Sequence, residues 1–262
     1  MRFTNLLLLA ALTGAPLPAT AATAATAATA ASSEPAADTD STADLPAGAA
    51  TSATEAVSTV HTLEELQELA EKGNVAAQLK LGALYSNGQY LGQDYEEAAK
   101  WFRRAADKGD ATAQFSLGTM YENGQGVPQD YALAERWYLA SAEQGNSFAQ
   151  TNLGFLHASG HGTPVDFTEA FRWYRAAAEQ GQALAQVNLG MLYAYGQGVA
   201  RDPVEAARWY TAAAEQGNAT AQINLGAALN KGEGVERDPV RAAYWYFNAA
   251  QQGNVLAQLD LA

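Results

Sequence analysis

The sequence predicts an all-α solenoid, a stack of helix-turn-helix units of equal length, and three observations carry that expectation. The pair Ala-Gln recurs at Ala77-Gln78, Ala113-Gln114, Ala149-Gln150, Ala185-Gln186, Ala221-Gln222 and Ala257-Gln258, always 36 residues apart. Leu-Gly keeps step at Leu81-Gly82, Leu117-Gly118, Leu153-Gly154, Leu189-Gly190 and Leu225-Gly226. An aromatic pair does the same at Trp101-Phe102, Trp137-Tyr138, Trp173-Tyr174, Trp209-Tyr210 and Trp245-Tyr246, so all five tryptophans of the chain share one repeat position. A period without insertions gives every unit one length and one connection, and such units can only pile onto their neighbours.

In chain order, Met1-Arg2 leads into an apolar run from Leu6 to Leu12, then Pro16, Pro18 and the small residues Ala19-Thr20-Ala21. This is the three-part pattern of a secretory signal peptide over residues 1–21. The apolar run is far below the roughly 20 residues that a membrane anchor needs. The expected location is therefore periplasmic or secreted, with no stable membrane insertion after cleavage. Residues 22–60 alternate alanine and threonine and then become rich in Ala, Ser, Thr and acidic groups. Lacking large apolar side chains to offset ordering entropy, they read as a disordered linker. The repeat domain is expected over 61–262, with a capping helix over 61–72, five repeats over 73–252 and a partial sixth over 253–262. That last piece either caps the array or marks a truncated product.

The stretch Asn146 to Gln180 illustrates one unit. Ala149, Gln150, Leu153, Gly154 and Leu156 have helical spacing and make the first helix, which stops at Gly160. Gly160, Gly162 and Pro164 form the turn. Asp166 caps the second helix, as Asp94, Asp130, Asp202 and Asp238 do in the other units. Pro203 and Pro239 directly follow their aspartates, where a missing N–H does no harm. Glu97, Glu169 and Glu205 stand three residues after the cap and are expected to complete capping boxes. The second helix carries the aromatic pair and ends at Gly181. Glycine inside a helix costs on the order of 1 kcal/mol, so five matched Leu-Gly pairs imply the close approach of a neighbouring helix, with an aromatic side chain facing the glycine. The tryptophans accordingly read as structural rather than as a cofactor box.

Composition narrows the function. A net charge of -13 and a pI near 4.6 oppose nucleic-acid binding through phosphate neutralisation. The absence of cysteine excludes disulfide staples, thiol catalysis, cysteine-ligated zinc and lipoprotein attachment.

Units with Ala-Gln, Leu-Gly-x-x-Tyr, Gly-x-Gly-Val, a capping Asp, Ala-x-x-Trp-Tyr and a closing Ala-Ala-x-x-Gly resemble Sel-1-like repeats, relatives of the tetratricopeptide repeat. The resemblance covers about Gly73 to Ala262. Tyr90 replaces the second turn glycine in the first unit, while His157 and Leu229 replace the tyrosine seen at Tyr85, Tyr121 and Tyr193. The resemblance implies a right-handed superhelical solenoid acting as a protein-protein interaction scaffold. It further implies no chemistry and no cofactor of its own, and a role in the bacterial envelope with a protein or peptide partner.

Positions that vary between units are the ones free to choose that partner. Counted i, i+4, i+7 and i+11 from the second residue of each first helix, they share one face. The third unit shows Phe148, Asn152, Phe155 and Ser159 there, the fourth Leu184, Asn188, Met191 and Tyr195, and the fifth Thr220, Asn224, Ala227 and Lys231. If first helices line the concave side, large apolar groups gather beside an asparagine ladder of Asn152, Asn188 and Asn224. Asparagine donates and accepts, which suits the backbone of an extended peptide. The candidate binding residues are therefore Phe148, Asn152, Phe155, Leu184, Asn188, Met191, Tyr195 and Asn224. In the competing reading, Phe148, Phe155 and Met191 fill gaps between adjacent first helices.

Two other chemistries are weaker. His157 and His161 have the i, i+4 spacing of zinc ligands, but Gly160 intervenes and no third ligand is evident, so no metal site is expected. A cell-wall or β-lactam hydrolase-related role lacks the Ser-x-x-Lys and Lys-Thr-Gly motifs and any nucleophile beside a base. A purely structural spacer is the remaining alternative.

Overall fold

The computed structural model describes residues 62–88 and 91–253. The expected signal peptide, the linker, Tyr90 and the partial sixth repeat beyond Gly253 lie outside the described residues. Regular structure among the described residues is entirely helical. It comprises α1 (Leu63–Glu71), α2 (Val75–Asn87), α3 (Tyr95–Ala106), α4 (Ala111–Asn123), α5 (Tyr131–Glu143), α6 (Ser147–Ser159), α7 (Phe167–Glu179), α8 (Ala183–Tyr195), α9 (Pro203–Glu215), α10 (Ala219–Lys231) and α11 (Pro239–Gln251). They divide into two compact units, α1–α5 within Pro16–Gln144 and α6–α11 within Gly145–Ala262. Inside each unit every helix packs chiefly on the one before and the one after it.

Caps set the helix starts. The first helices are capped by Asn74, Asp110, Asn146, Gln182 and Asn218, and the second helices by the five expected aspartates, each side chain accepting from a backbone N–H in the first turn. The expected capping boxes at Glu97, Glu169 and Glu205 do not form. The backbone N–H of the capping aspartate, the donor such a glutamate would seek, is already spent on the preceding first helix. Asp94 donates to the Tyr85 carbonyl at 2.9 Å, Asp166 to His157 at 2.8 Å and Asp202 to Tyr193 at 2.9 Å. The glutamates pair with Lys100, Arg172 and Arg208 instead. Among the described helices only α1, whose cap Thr62 makes no such donation, carries a reciprocal box, with Glu65. Because these turn bonds use the carbonyl of the residue, His157 and Leu229 fill the tyrosine position without breaking them; Asp238 still donates to Leu229 at 2.9 Å.

The Leu-Gly glycines meet aromatic rings, as the sequence anticipates, and the ring belongs to the second member of each pair. A Cβ on Gly82, Gly118, Gly154, Gly190 or Gly226 would stand 2.6 to 2.9 Å from Phe102, Tyr138, Tyr174, Tyr210 or Tyr246 respectively. These second aromatics are all buried, whereas Trp137, Trp209 and Trp245 are only half-buried. Several tryptophans carry an arginine on their outer face: Arg104 lies 4.4 Å from the ring centre of Trp101, Arg172 4.7 Å from Trp173 and Arg208 4.8 Å from Trp209.

The glutamine of Ala-Gln is buried for a different reason. Gln114, Gln186 and Gln222 donate through Nε2 to the carbonyls of Ala106, Ala178 and Ala214 at the end of the preceding second helix. Their Oε1 atoms accept from Gln144, Gln216 and Gln252 at the end of the following one. One side chain thus satisfies itself while tying three helix ends together. The first repeat breaks the pattern: Lys108 stands in the place of Gln144 and its relatives and donates to the Gly73 carbonyl, leaving Gln78 Oε1 buried without a partner. Lys108→Gln is accordingly expected to stabilise the chain by about 1 kcal/mol, the net worth of one hydrogen bond made by an otherwise orphaned acceptor. A lower urea midpoint for the variant would contradict this.

Candidate functional site

All eight candidate binding residues fall in the unit formed by α6–α11, and the structure sorts them by depth. Phe148 at 44% and Tyr195 at 46% are exposed, although both are large and apolar or aromatic. Asn152, Phe155, Leu184 and Asn224 are half-buried. Asn188 and Met191, each only 5% exposed, are interior. This corrects the expected three-rung asparagine ladder, since its middle member does not reach the surface. Met191 joins a core cluster with Ile223, Leu225 and Leu229 of α10. A long, unbranched thioether fills the space between successive first helices, as the competing reading of that position holds. Phe155 packs on the edge of a second cluster that includes Leu189 and Leu192, and its ring lies 5.7 Å from that of His161.

What remains accessible is a face bearing Phe148, Asn152, Leu184, Tyr195 and Asn224 on α6, α8 and α10. Its electrostatics follow from where the charges went. Neither α6 nor α8 contains an acidic residue, lysine or arginine, and α10 has Lys231 alone. Ion pairs among the described residues of this unit, Arg172–Glu169, Arg175–Glu179 and Arg208–Glu205, lie instead on second helices, with their arginines well exposed. Burial pushes the Tyr174 and Tyr210 hydroxyls far above the ordinary phenol range, so neither contributes charge. Exposed aromatic side chains beside half-buried amides, with Lys231 the one Lys, Arg, Asp or Glu on these three helices, can bury apolar groups and bond a peptide backbone.

His157 and His161 stay apart from any third ligand: among the described residues no three of His, Asp and Glu converge. No described helix is long and apolar enough to cross a membrane.

One exposed feature escaped the sequence reading. Val240, Tyr244 and Phe247 form an apolar stripe along α11 at i, i+4 and i+7 spacing. Lys100, Arg136, Arg172 and Arg208 occupy the place of Tyr244 in the other repeats. Aligning second helices for a lost cation, rather than first helices alone, would have revealed it.

Comparison with known proteins agrees with this architecture. The family model described as Sel1 repeat matches five times, at residues 75–110, 111–146, 147–182, 183–218 and 219–254. Among solved structures, a protective antigen of uropathogenic Escherichia coli with an SLR fold is 45% identical with a TM-score of 0.74, the match covering 77% of this chain and 43% of that one. The chain therefore spans less than half the length of that antigen. A Sel1 repeat protein from Oxalobacter formigenes is 34% identical with a TM-score of 0.70, over 80% of this chain and 85% of that one. None of the curated proteins compared with the chain matches it. Sel1 repeat proteins are generally protein-protein interaction scaffolds and typically non-catalytic. With five consecutive repeats matched, the chain belongs to the Sel1 repeat family.

Proposed function

We propose that this chain is a non-enzymatic adaptor of the bacterial envelope that holds an extended segment of a protein or peptide partner along the concave, first-helix face of α6, α8 and α10. The observation that carries the proposal is the exposure of Phe148 and Tyr195 at positions where the repeats differ from one another. Residues that recur in every unit, such as the Leu-Gly pair, serve stacking, whereas these two positions vary and are exposed. Phe148 corresponds to Ala76, Thr112, Leu184 and Thr220, and Tyr195 to Asn87, Asn123, Ser159 and Lys231. Asn224 on α10 has one donor group and one acceptor, which suits bonding to a peptide backbone whatever its sequence. The lack of charge on α6 and α8 favours neutral, apolar segments over acidic or basic ones. Placement in the periplasm or outside the cell rests on the N-terminal pattern of Arg2, Leu6 to Leu12 and Ala19 to Ala21.

Selection of a random peptide library on the purified chain tests this reading. Extended peptides with apolar residues at alternate positions are expected to enrich, and Phe148→Ala with Tyr195→Ala together should weaken their binding by tenfold or more, about 1.4 kcal/mol. Tyr244→Ala, on α11, serves as the control. Equal binding by the double variant, with its helical circular dichroism intact, would overturn the proposal.

A further inference from the structure

We propose that the third and fourth repeats enclose a binding site for a single water molecule, held by Tyr174, Asn188 and Gln197. A cavity of ≈ 10 Å³, counted as the space open to the centre of a water-sized sphere, lies among α6, α7 and α8. Ala158, Phe167, Tyr174, Asn188, Leu192 and Gln197 line it. Tyr174 Oη, Asn188 Oδ1 and Gln197 Oε1 are each buried and reached by no protein group. Three such atoms on the wall of one small cavity are not independent accidents, because buried polar atoms in folded chains nearly always have a partner.

Their chemistry selects the ligand. The phenol offers one donated proton, and each amide oxygen offers only lone pairs. A water molecule is the complement of that set: it accepts from Tyr174 and donates one proton to Asn188 and the other to Gln197. Its size fits as well, since a site of about 10–15 Å³ by this measure holds one water, and two to four polar partners are what an internal water requires.

The repeats themselves show how the site arose. In the second repeat, Tyr138 donates to the Glu122 carboxylate, and its hydroxyl stands 3.2 Å from Thr119 Oγ1. The third repeat has Ala158 where the second has Glu122, and Phe155 where it has Thr119. Tyr174 therefore loses both partners, and truncation to Ala158 opens the space in front of its hydroxyl. Across that space the fourth repeat supplies Asn188. The buried asparagine thus serves the interior rather than the binding face.

A high-resolution crystal structure of the full chain, grown from two salts, tests the assignment. One ordered peak about 2.6–3.0 Å from Tyr174 Oη, Asn188 Oδ1 and Gln197 Oε1, unchanged between salts, is expected. A closed cavity with direct side-chain hydrogen bonds would overturn it. So would a peak nearer than about 2.5 Å to all three oxygens whose occupancy follows the salt, the mark of a cation. Ala158→Glu provides a second arm. Its carboxylate is expected to take the Tyr174 hydroxyl directly and displace the peak. A peak that persists with Tyr174 still bonded to it would remove Tyr174 as its donor and overturn the three-partner site.

Discussion

Gly198→Ala is expected to destabilise the chain by more than about 3 kcal/mol, because two costs fall on one methyl group. Gly198 holds φ at +69°, a left-handed conformation that an L side chain resists. Its added Cβ would also stand 2.0 Å from the Phe167 carbonyl oxygen, at the start of the preceding second helix. Backbone cannot swing aside as a side-chain tip does, so relief requires the turn after α8 to move off α7. Gly126 against Tyr95 at 2.0 Å and Gly234 against Pro203 at 1.9 Å repeat the arrangement. Gly181 is the control, since its φ of +86° carries the conformational cost but nothing lies within 4 Å of an added Cβ. Equilibrium unfolding in urea, followed by circular dichroism, should place Gly181→Ala between wild type and Gly198→Ala. Equal midpoints for the two variants would show that conformation alone, and not contact between repeats, governs the second turn glycine.

Gln186→Met is the second large effect, expected to cost about 1–3 kcal/mol despite near-equal volume, the net worth of two hydrogen bonds. The substitution removes the donor to the Ala178 carbonyl and the acceptor for Gln216 Nε2 at 2.8 Å. Both losses occur at helix ends and cut the tie between successive second helices, while the Ala178 carbonyl keeps the Gly181 N–H at 3.0 Å and Gln216 keeps the Ala212 carbonyl. The same exchange at Gln78, whose Oε1 is already unpartnered, should cost less, because only its donation to Ala70 at 2.9 Å is lost. Hydrogen exchange at the junction of α7 and α8 provides the local readout: amides there should lose protection before those of α10 and α11. Unchanged protection would mean that the glutamine contributes volume alone.

Much of the architecture was legible because repetition averages over local noise. The capping aspartates, the terminating glycines and the aromatic ring opposite each Leu-Gly all follow from residue types whose physical roles are narrow, read five times over. The capping boxes were misread because the competing acceptor, a carbonyl of the preceding first helix, belongs to a different helix. No local spacing reveals that Asp94 or Asp166 has already spent its N–H. The candidate face was legible only in outline. Helical spacing puts Asn152, Asn188 and Asn224 on corresponding positions, yet Asn188 is interior while the other two are half-buried.

The sequence by itself determined the period, the helix limits, the capping residues and the family, since each depends on short-range chemistry or on recurrence. Only the tertiary structure decided depth: which second aromatic fills the space beside a glycine, which asparagine faces inward, and which turn glycine touches another repeat's backbone. The reason is physical. A helical position specifies a direction around its own axis, whereas burial depends on the side chains arriving from neighbouring helices, and here those neighbours differ from one repeat to the next.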